Sequence, residues 1–147
     1  MGKGRTGAYV IDADPKRLDA SAIRDFLITS YWAKGRSLAQ VEKSLKHSLC
    51  FGLYLGREQV GLARVITDYT TFAYLCDVYV LEAHRGQGLG KRLMRAVMAH
   101  PAITGARRAM LATRDAHGMY RKVGFVDVVT SKTLMEIVKA DMYRSPG

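Results

Sequence analysis

Three glycines on alternate positions lie in the stretch Arg85-Gly86-Gln87-Gly88-Leu89-Gly90-Lys91, bracketed by cations and directly preceded by the apolar run YLCDVYVL. Glycine weakens regular structure by roughly 0.5–1 kcal/mol relative to alanine, so a cluster at a strand-to-helix junction marks backbone that must approach a ligand closely. The residues that follow, KRLMRAVMAHP, place Leu93, Met94, Val97 and Met98 on one face of a helix that stops before Pro101. A helix N terminus offers unpaired N–H groups and the positive end of the dipole, and side-chain-free residues let an anion reach them. Phosphate is the natural ligand. A Walker A loop is excluded, since its first glycine position holds Arg85 and its hydroxyl position holds Arg92. A dinucleotide fingerprint beginning at Gly86 would need glycine where Lys91 stands.

The remaining pattern, Arg85-Gly86-Gln87-Gly88-Leu89-Gly90, resembles the Arg/Gln-x-x-Gly-x-Gly/Ala signature of the GNAT superfamily of acetyl-CoA-dependent N-acetyltransferases. Downstream, RDAHGMYRKVGF resembles the Tyr-x-x-x-Gly-Phe element late in such domains, and YLCDVYVLEAHRGQGLG is similar to their fourth strand and pyrophosphate loop. The resemblance spans roughly residues 7–138. It implies an α/β fold, a single GNAT-like domain with a mixed central sheet, an antiparallel N-terminal meander and flanking helices. It also implies that the fourth and fifth strands splay apart to admit the pantetheine arm. In that frame Val78, Tyr79 and Val80 offer backbone groups to pantetheine and the thioester, with an N–H near Val80 as oxyanion donor. Arg85, Gly86, Gln87, Gly88, Leu89, Gly90 and Lys91 surround the pyrophosphate.

Acetyl transfer to an amine needs a deprotonated nucleophile and a partner for the leaving thiolate. An alkylamine titrates near 10.4, so a carboxylate or a water chain must dispose of a proton. Asp77, an acid inside an apolar strand beside the glycine loop, is the candidate base; a substrate counter-ion and an ion pair with an arginine such as Arg64 are the alternatives. Tyr120 matches the tyrosine that the family places against the cofactor sulfur. A phenol near 10 facing a thiol near 8.5 makes full proton donation uphill by about 2 kcal/mol, which favours a hydrogen bond over early proton transfer. The sequence departs from common family patterns at Cys76, where several amine acetyltransferases carry glutamate, and in the fifth strand, which lacks one. Asp115 reads as a cap for the short helix carrying Tyr120. Tyr31 and Trp32, in LITSYWAKGRS, fall where the acceptor cleft is lined in the family, and read equally as core.

The elements that must position these groups follow from periodicity and turn chemistry: strand 8–12, helices 15–30 and 37–47, strands 49–55, 59–67 and 72–81, helix 89–99, strand 107–113, helix 115–122, and strands 124–129 and 133–139. The run RRAMLAT reads as a buried strand. Alternation puts Cys76, Val78 and Val80 on one face of the fourth strand and Asp77 and Tyr79 on the other, unless a bulge intervenes.

With 147 residues the chain is expected to form one domain, with frayed ends at 1–6 and 141–147. No apolar run approaches 18 residues and no charged-then-apolar leader is present, which predicts a cytoplasmic protein without membrane attachment. The start MGKGRT fits an N-myristoylation pattern and equally a polar start before the first strand. Both cysteines read as reduced core thiols, and the histidines have no metal spacing, so no metal is expected. A net charge of +10 raises nucleic acid as a rival partner, but the cations are scattered, and a phosphate-rich cofactor has its own use for Lys91, Arg92 and Arg95. The expected acceptor is a primary amine of a small molecule or peptide. The oligomeric state is left open, a homodimer included. The rival functions are a non-catalytic acetyl-CoA-binding sensor or interaction domain, and a basic nucleic-acid-binding module on the same fold.

Overall fold

A computed structural model of the chain describes residues 8–129, 131–139 and 142. The N-terminal acylation pattern and the frayed ends expected at 1–6 and, apart from Met142, at 141–147 lie outside the described residues.

Five strands form one sheet in the order β1-β2-β3-β4-β5: Tyr9–Asp12, Leu49–Leu55, Glu58–Thr67, Phe72–Val80 and Arg108–Leu111. The first four pair antiparallel, while β5 joins β4 in parallel, giving the mixed sheet and N-terminal meander expected from sequence. The β2–β3 turn uses Gly56 at a φ of 60°. The β3–β4 turn is tied by Asp68, whose carboxylate accepts from the backbone N–H of Thr70, Thr71 and Phe72.

Helices cover both faces. On one, α1 (Ala20–Leu27) starts where the Asp19 carboxylate accepts from the Ala22 N–H, and buries Ile23 and Leu27 four residues apart. Next to it, α2 (Leu38–Lys46) opens with a reciprocal Ser37–Gln40 capping box and buries Val41 and Leu45. These four pack with Cys50, Leu62 and Tyr79 of the sheet. On the other face, α3 (Leu89–Ala99) buries Leu89, Leu93, Met94 and Val97, and the short α4 (Pro101–Thr104) adds Ala102 and Ile103. Together they close over Phe51, Val65, Ala73 and Leu75. A final short helix, α5 (His117–Arg121), follows β5.

Three expectations are corrected. The continuous helix over 15–30 is a 3-10 turn at Pro15–Arg17 followed by α1, because Asp19 is extended (φ −100°, ψ 92°) and starts a new helix as its cap. The strands expected over 124–129 and 133–139 do not form. After Gly124 (φ 109°) the chain stands away from β5 across a groove of about 290 Å³, so its β-branched residues find no ladder partner. Val129 is left 94% exposed and Ile137 92%. For the same reason β5, expected to be buried, is an edge strand with Arg108 exposed and its other residues half-buried.

Candidate active site

The glycine loop is built as its composition demands. Gly86 and Gly88 take φ values of 81° and 74°, the left-handed region that residues with a Cβ rarely enter, and Gly88 is the N-cap of α3. A Cβ added at Gly86, Gly88 or Gly90 would meet no protein atom within 4 Å, so the absent side chains leave an open cradle. No side chain caps α3, and the N–H groups of its first turn face that cradle unclaimed by a cap. The loop is anchored from below. Buried His84 shares a 2.7 Å hydrogen bond between its Nδ1 and the Tyr9 hydroxyl. Gln87 Nε2 donates to the His84 carbonyl at 3.2 Å, and Arg92 reaches the Tyr9 carbonyl at 3.3 Å. Arg85 Nε donates to the Val80 carbonyl at 2.8 Å, joining the loop to the end of β4.

Strands β4 and β5 pair only from Phe72 with Arg108 to Leu75 with Leu111. Beyond that point β4 continues to Val80 without β5, and a cleft of about 810 Å³ opens between them. The cleft extends from Arg85 and Gly90 at the glycine loop, past 74–80 of β4, to Tyr31 and Trp32 on one side and to Tyr120 on the other. The splay implied by the resemblance is present, and one cavity collects the expected residues Tyr31, Trp32, Asp77, Val78, Tyr79, Val80, Arg85, Gly90 and Tyr120.

A bulge does interrupt β4. From Leu62 opposite Tyr79 to Arg64 opposite Cys76, two steps along β3 match three along β4. The additional residue falls at Asp77, whose φ is 51°. Cys76, opposite Arg64, and Tyr79, opposite Leu62, therefore share the α1/α2 face with Asp77, while Val78 packs with the α3 cluster. The simple alternation is corrected by this insertion.

Asp77 is 4% exposed and fully engaged. Its Oδ2 accepts from Arg64 Nε at 2.7 Å and Arg36 Nη1 at 2.8 Å, and its Oδ1 accepts from Trp32 Nε1 at 2.8 Å. Burial pushes its pKa up, but the two guanidiniums and the hydrogen bonds outweigh that and hold it below the ordinary 3.8. An acid in that range lies more than six units below an alkylammonium, so accepting the amine proton would be uphill by more than about 9 kcal/mol. Arg64 also donates to Ser48 Oγ at 3.0 Å. The sequence reading named Arg64 as an alternative partner but missed Arg36, which no periodicity links to a position 41 residues away.

Tyr120 is half-buried and sits edge-on to Phe125, with ring centroids 6.0 Å apart. Gly124 lets the chain turn back so that the Phe125 N–H reaches the Tyr120 carbonyl at 3.1 Å. Burial raises the phenol pKa above 10, with Tyr31 and Asp115 adding to the shift, so the hydroxyl keeps its proton. Phe26 stacks on Tyr79 at 3.9 Å, and Tyr31 meets Trp32 edge-on at 5.1 Å, which gives the cleft an aromatic wall. Tyr31 also spans the mouth. The Arg114 guanidinium lies 3.8 Å over its ring, and the Arg114 N–H donates to its hydroxyl at 3.2 Å.

Asp115 does not cap α5. The N-cap is Ala116, and the Ala116 N–H is taken by Thr113 Oγ1 at 3.0 Å. Asp115 instead lines the cleft, exposed, within electrostatic reach of Tyr120. Both cysteines are free thiols, with burial pushing Cys76 up to about 11 and Cys50 up to about 12, so both stay protonated. Among the described residues no group of three His, Cys, Asp or Glu gathers as a metal set, and no helix is long and apolar enough to cross a membrane.

Comparison with known proteins places these features in context. The sequence profile of the acetyltransferase (GNAT) family matches residues 19–125. A crystal structure of a GNAT-family protein of Xanthomonas campestris pv. campestris, xcc2953, is 46% identical with a TM-score of 0.90, covering 93% of this chain and 97% of that one. A Gibberella zeae protein, provisionally named acetyltransferase FG08082, is 34% identical over 139 aligned residues, covering 79% of this chain and 77% of its own. At the level of fold alone, the Staphylococcus aureus protein SA2161 aligns with a TM-score of 0.72 at 22% identity, covering 89% of this chain and 99% of that one.

Proposed function

The chain belongs to the acetyltransferase (GNAT) family, and from that premise we propose that it moves the acetyl group of acetyl-CoA to the primary amine of a small molecule or peptide. The observation that carries the reading is the cleft of about 810 Å³ that opens where β4 outruns β5. It joins an anion-binding loop at one end to a protonated phenol and an aromatic-walled entrance at the other.

The residues present suit acetyl-CoA. Uncapped N–H groups at the start of α3 and the open cradle at Gly86, Gly88 and Gly90 accept a pyrophosphate. The β5-facing edge of Val78, Tyr79 and Val80 has no strand on it and can pair with an amide-bearing arm. Bound acetyl-CoA supplies a thioester, the activated acyl group. The Tyr120 hydroxyl, kept protonated by its surroundings, hydrogen-bonds the sulfur as negative charge grows there and yields its proton late or not at all. An N–H near Val80 serves as the oxyanion donor.

Asp77 acts as a fixed anion. Its three hydrogen bonds hold Trp32 against the cleft and pin the bulge that re-aims the backbone of β4 toward the substrate. The amine loses its proton to water, since no strong base stands free in the depth of the cleft. A cytoplasmic location accords with the two reduced thiols.

The test is acetyl-CoA binding by calorimetry together with release of free CoA thiol against a panel of amines. Micromolar binding with amine-dependent thiol release and an N-acetylated product is the expected result. Binding without release against every amine would move the chain to the sensor reading, and tight nucleic-acid binding unaffected by acetyl-CoA would move it to the other.

A further inference from the structure

The charges around the acceptor end of the cleft carry information about what enters. Asp77, the deepest carboxylate, is spent on Arg36, Arg64 and Trp32 and has no oxygen to offer an incoming ammonium without displacing a buried guanidinium. Two other charged side chains line the cleft away from the glycine loop: Arg114 and Asp115. They are consecutive, of opposite sign and exposed. Each is placed by something specific. Arg114 is held by its stacking on Tyr31 and by the hydrogen bond from its N–H to the Tyr31 hydroxyl. Asp115 makes no hydrogen bond or ion pair among the described residues, its expected capping role having gone to Thr113, and it lies within electrostatic reach of Tyr120, where the reacting amine must come.

From this we infer that the acceptor is an amine that carries its own carboxylate, an amino acid with an apolar or aromatic side chain, with its ammonium on Asp115 and its carboxylate on Arg114. The inference rests on the proposed function and narrows its substrate class. A guanidinium stacked on an aromatic ring keeps its edge donors for a carboxylate, and loses little side-chain freedom on binding because the stack already holds it. The ammonium end lies toward Tyr120, as transfer requires. A carboxylate ordinarily titrates some six units below an alkylammonium, so this contact orients the amine and does not deprotonate it. In the reaction one proton leaves the ammonium for water, the lone pair so freed forms the N–C bond, and the C–S electrons pass to sulfur. The second nitrogen proton leaves to solvent, and the thiolate is hydrogen-bonded by Tyr120. The apolar side chain of the acceptor lies along Phe26, Trp32 and Met119.

The experiment compares phenylalanine with phenethylamine and leucine with 3-methylbutylamine, each pair differing only in the carboxylate, at equal concentration of deprotonated amine. The expected result is a kcat/KM at least about tenfold higher for the amino acid of each pair, mostly in KM. Arg114→Gln should bring each ratio close to one, while Arg114→Lys keeps part of it. Asp115→Asn should raise KM for all four amines and leave the ratios in place. Equal or better use of the decarboxylated amines, or an unchanged ratio in Arg114→Gln, overturns the inference and leaves the acetyltransferase reading standing. If none of the four is acetylated, calorimetric titration of the same compounds into CoA-saturated protein reads the preference without chemistry. Tighter binding of the two amino acids, lost in Arg114→Gln, would support the inference while the acetyltransferase reading fails. Equal or absent binding overturns both.

Discussion

Replacing Asp77 by asparagine separates a structural anion from a catalytic base. The substitution preserves size and can keep the hydrogen bond from Trp32, but it removes the charge that offsets two guanidiniums buried to about 90%. Removing one partner of a buried ion pair costs about 3–5 kcal/mol, because the other charge stays desolvated. Asparagine keeps an acceptor oxygen, which places the expected loss near 3 kcal/mol. For a domain of about 150 residues this lowers Tm by about 6–12 °C. The assay is urea unfolding of the two proteins across pH. The Asp77 pKa in the folded protein is lowered, so its contribution is fully present above the ordinary 3.8 and is lost as pH falls through the folded value. The gap between wild type and Asp77→Asn should hold from pH 8 down to about pH 5 and narrow in stronger acid. Acetyl transfer by Asp77→Asn should show no recovery at alkaline pH. A variant of unchanged stability whose activity returns at high pH would refute the reasoning and restore Asp77 as the base.

Tyr120→Phe keeps the ring packed on Phe125 and removes only the hydroxyl, so turnover should fall about 10²-fold with acetyl-CoA affinity nearly unchanged, as steady-state kinetics and calorimetry would show. Gly88→Val forces a β-branched residue to a φ of 74° and fills the cradle, so acetyl-CoA affinity should drop by at least about tenfold in a variant whose circular dichroism still reports a fold. Tyr9→Phe leaves the buried His84 Nδ1 without its partner, which should cost about 1–3 kcal/mol in urea unfolding and weaken acetyl-CoA binding by loosening the loop.

Most of this architecture was legible in the order of residues, and the illegible parts have a common cause. The glycine loop and α3 declare themselves through a 3.6-residue period and through backbone conformations that glycine alone adopts readily, both of which are local. Five of seven expected strands were found for the same reason. Asp77 could be picked out as an acid among apolar neighbours, and Arg64 could be suspected, but Arg36 and Trp32 reach it from a loop without periodicity. The bond between Tyr9 and His84 spans 75 residues and leaves no local trace. Asp115 looked like a helix cap because its type and position fit one, and the hydroxyl of Thr113 took that place instead. The segments over 124–129 and 133–139 have strand-like composition, yet a strand also needs a free edge within hydrogen-bonding distance, which composition does not encode.

The bulge in β4 means that the strand is out of phase with itself. Upstream of Asp77 odd-numbered side chains such as Ala73 and Leu75 belong to the α3 core, and downstream it is the even-numbered Val78 that does. Deleting one residue there would restore an unbroken pleat and interchange inside and outside for everything that follows. Tyr79 would leave its stack with Phe26, and the end of the strand would carry the wrong edge to the glycine loop. Substitutions around Asp77 can be absorbed one at a time, whereas a change of length is read by every residue after it. Engineering of this cleft should therefore vary side chains freely along β4 and leave its residue count untouched.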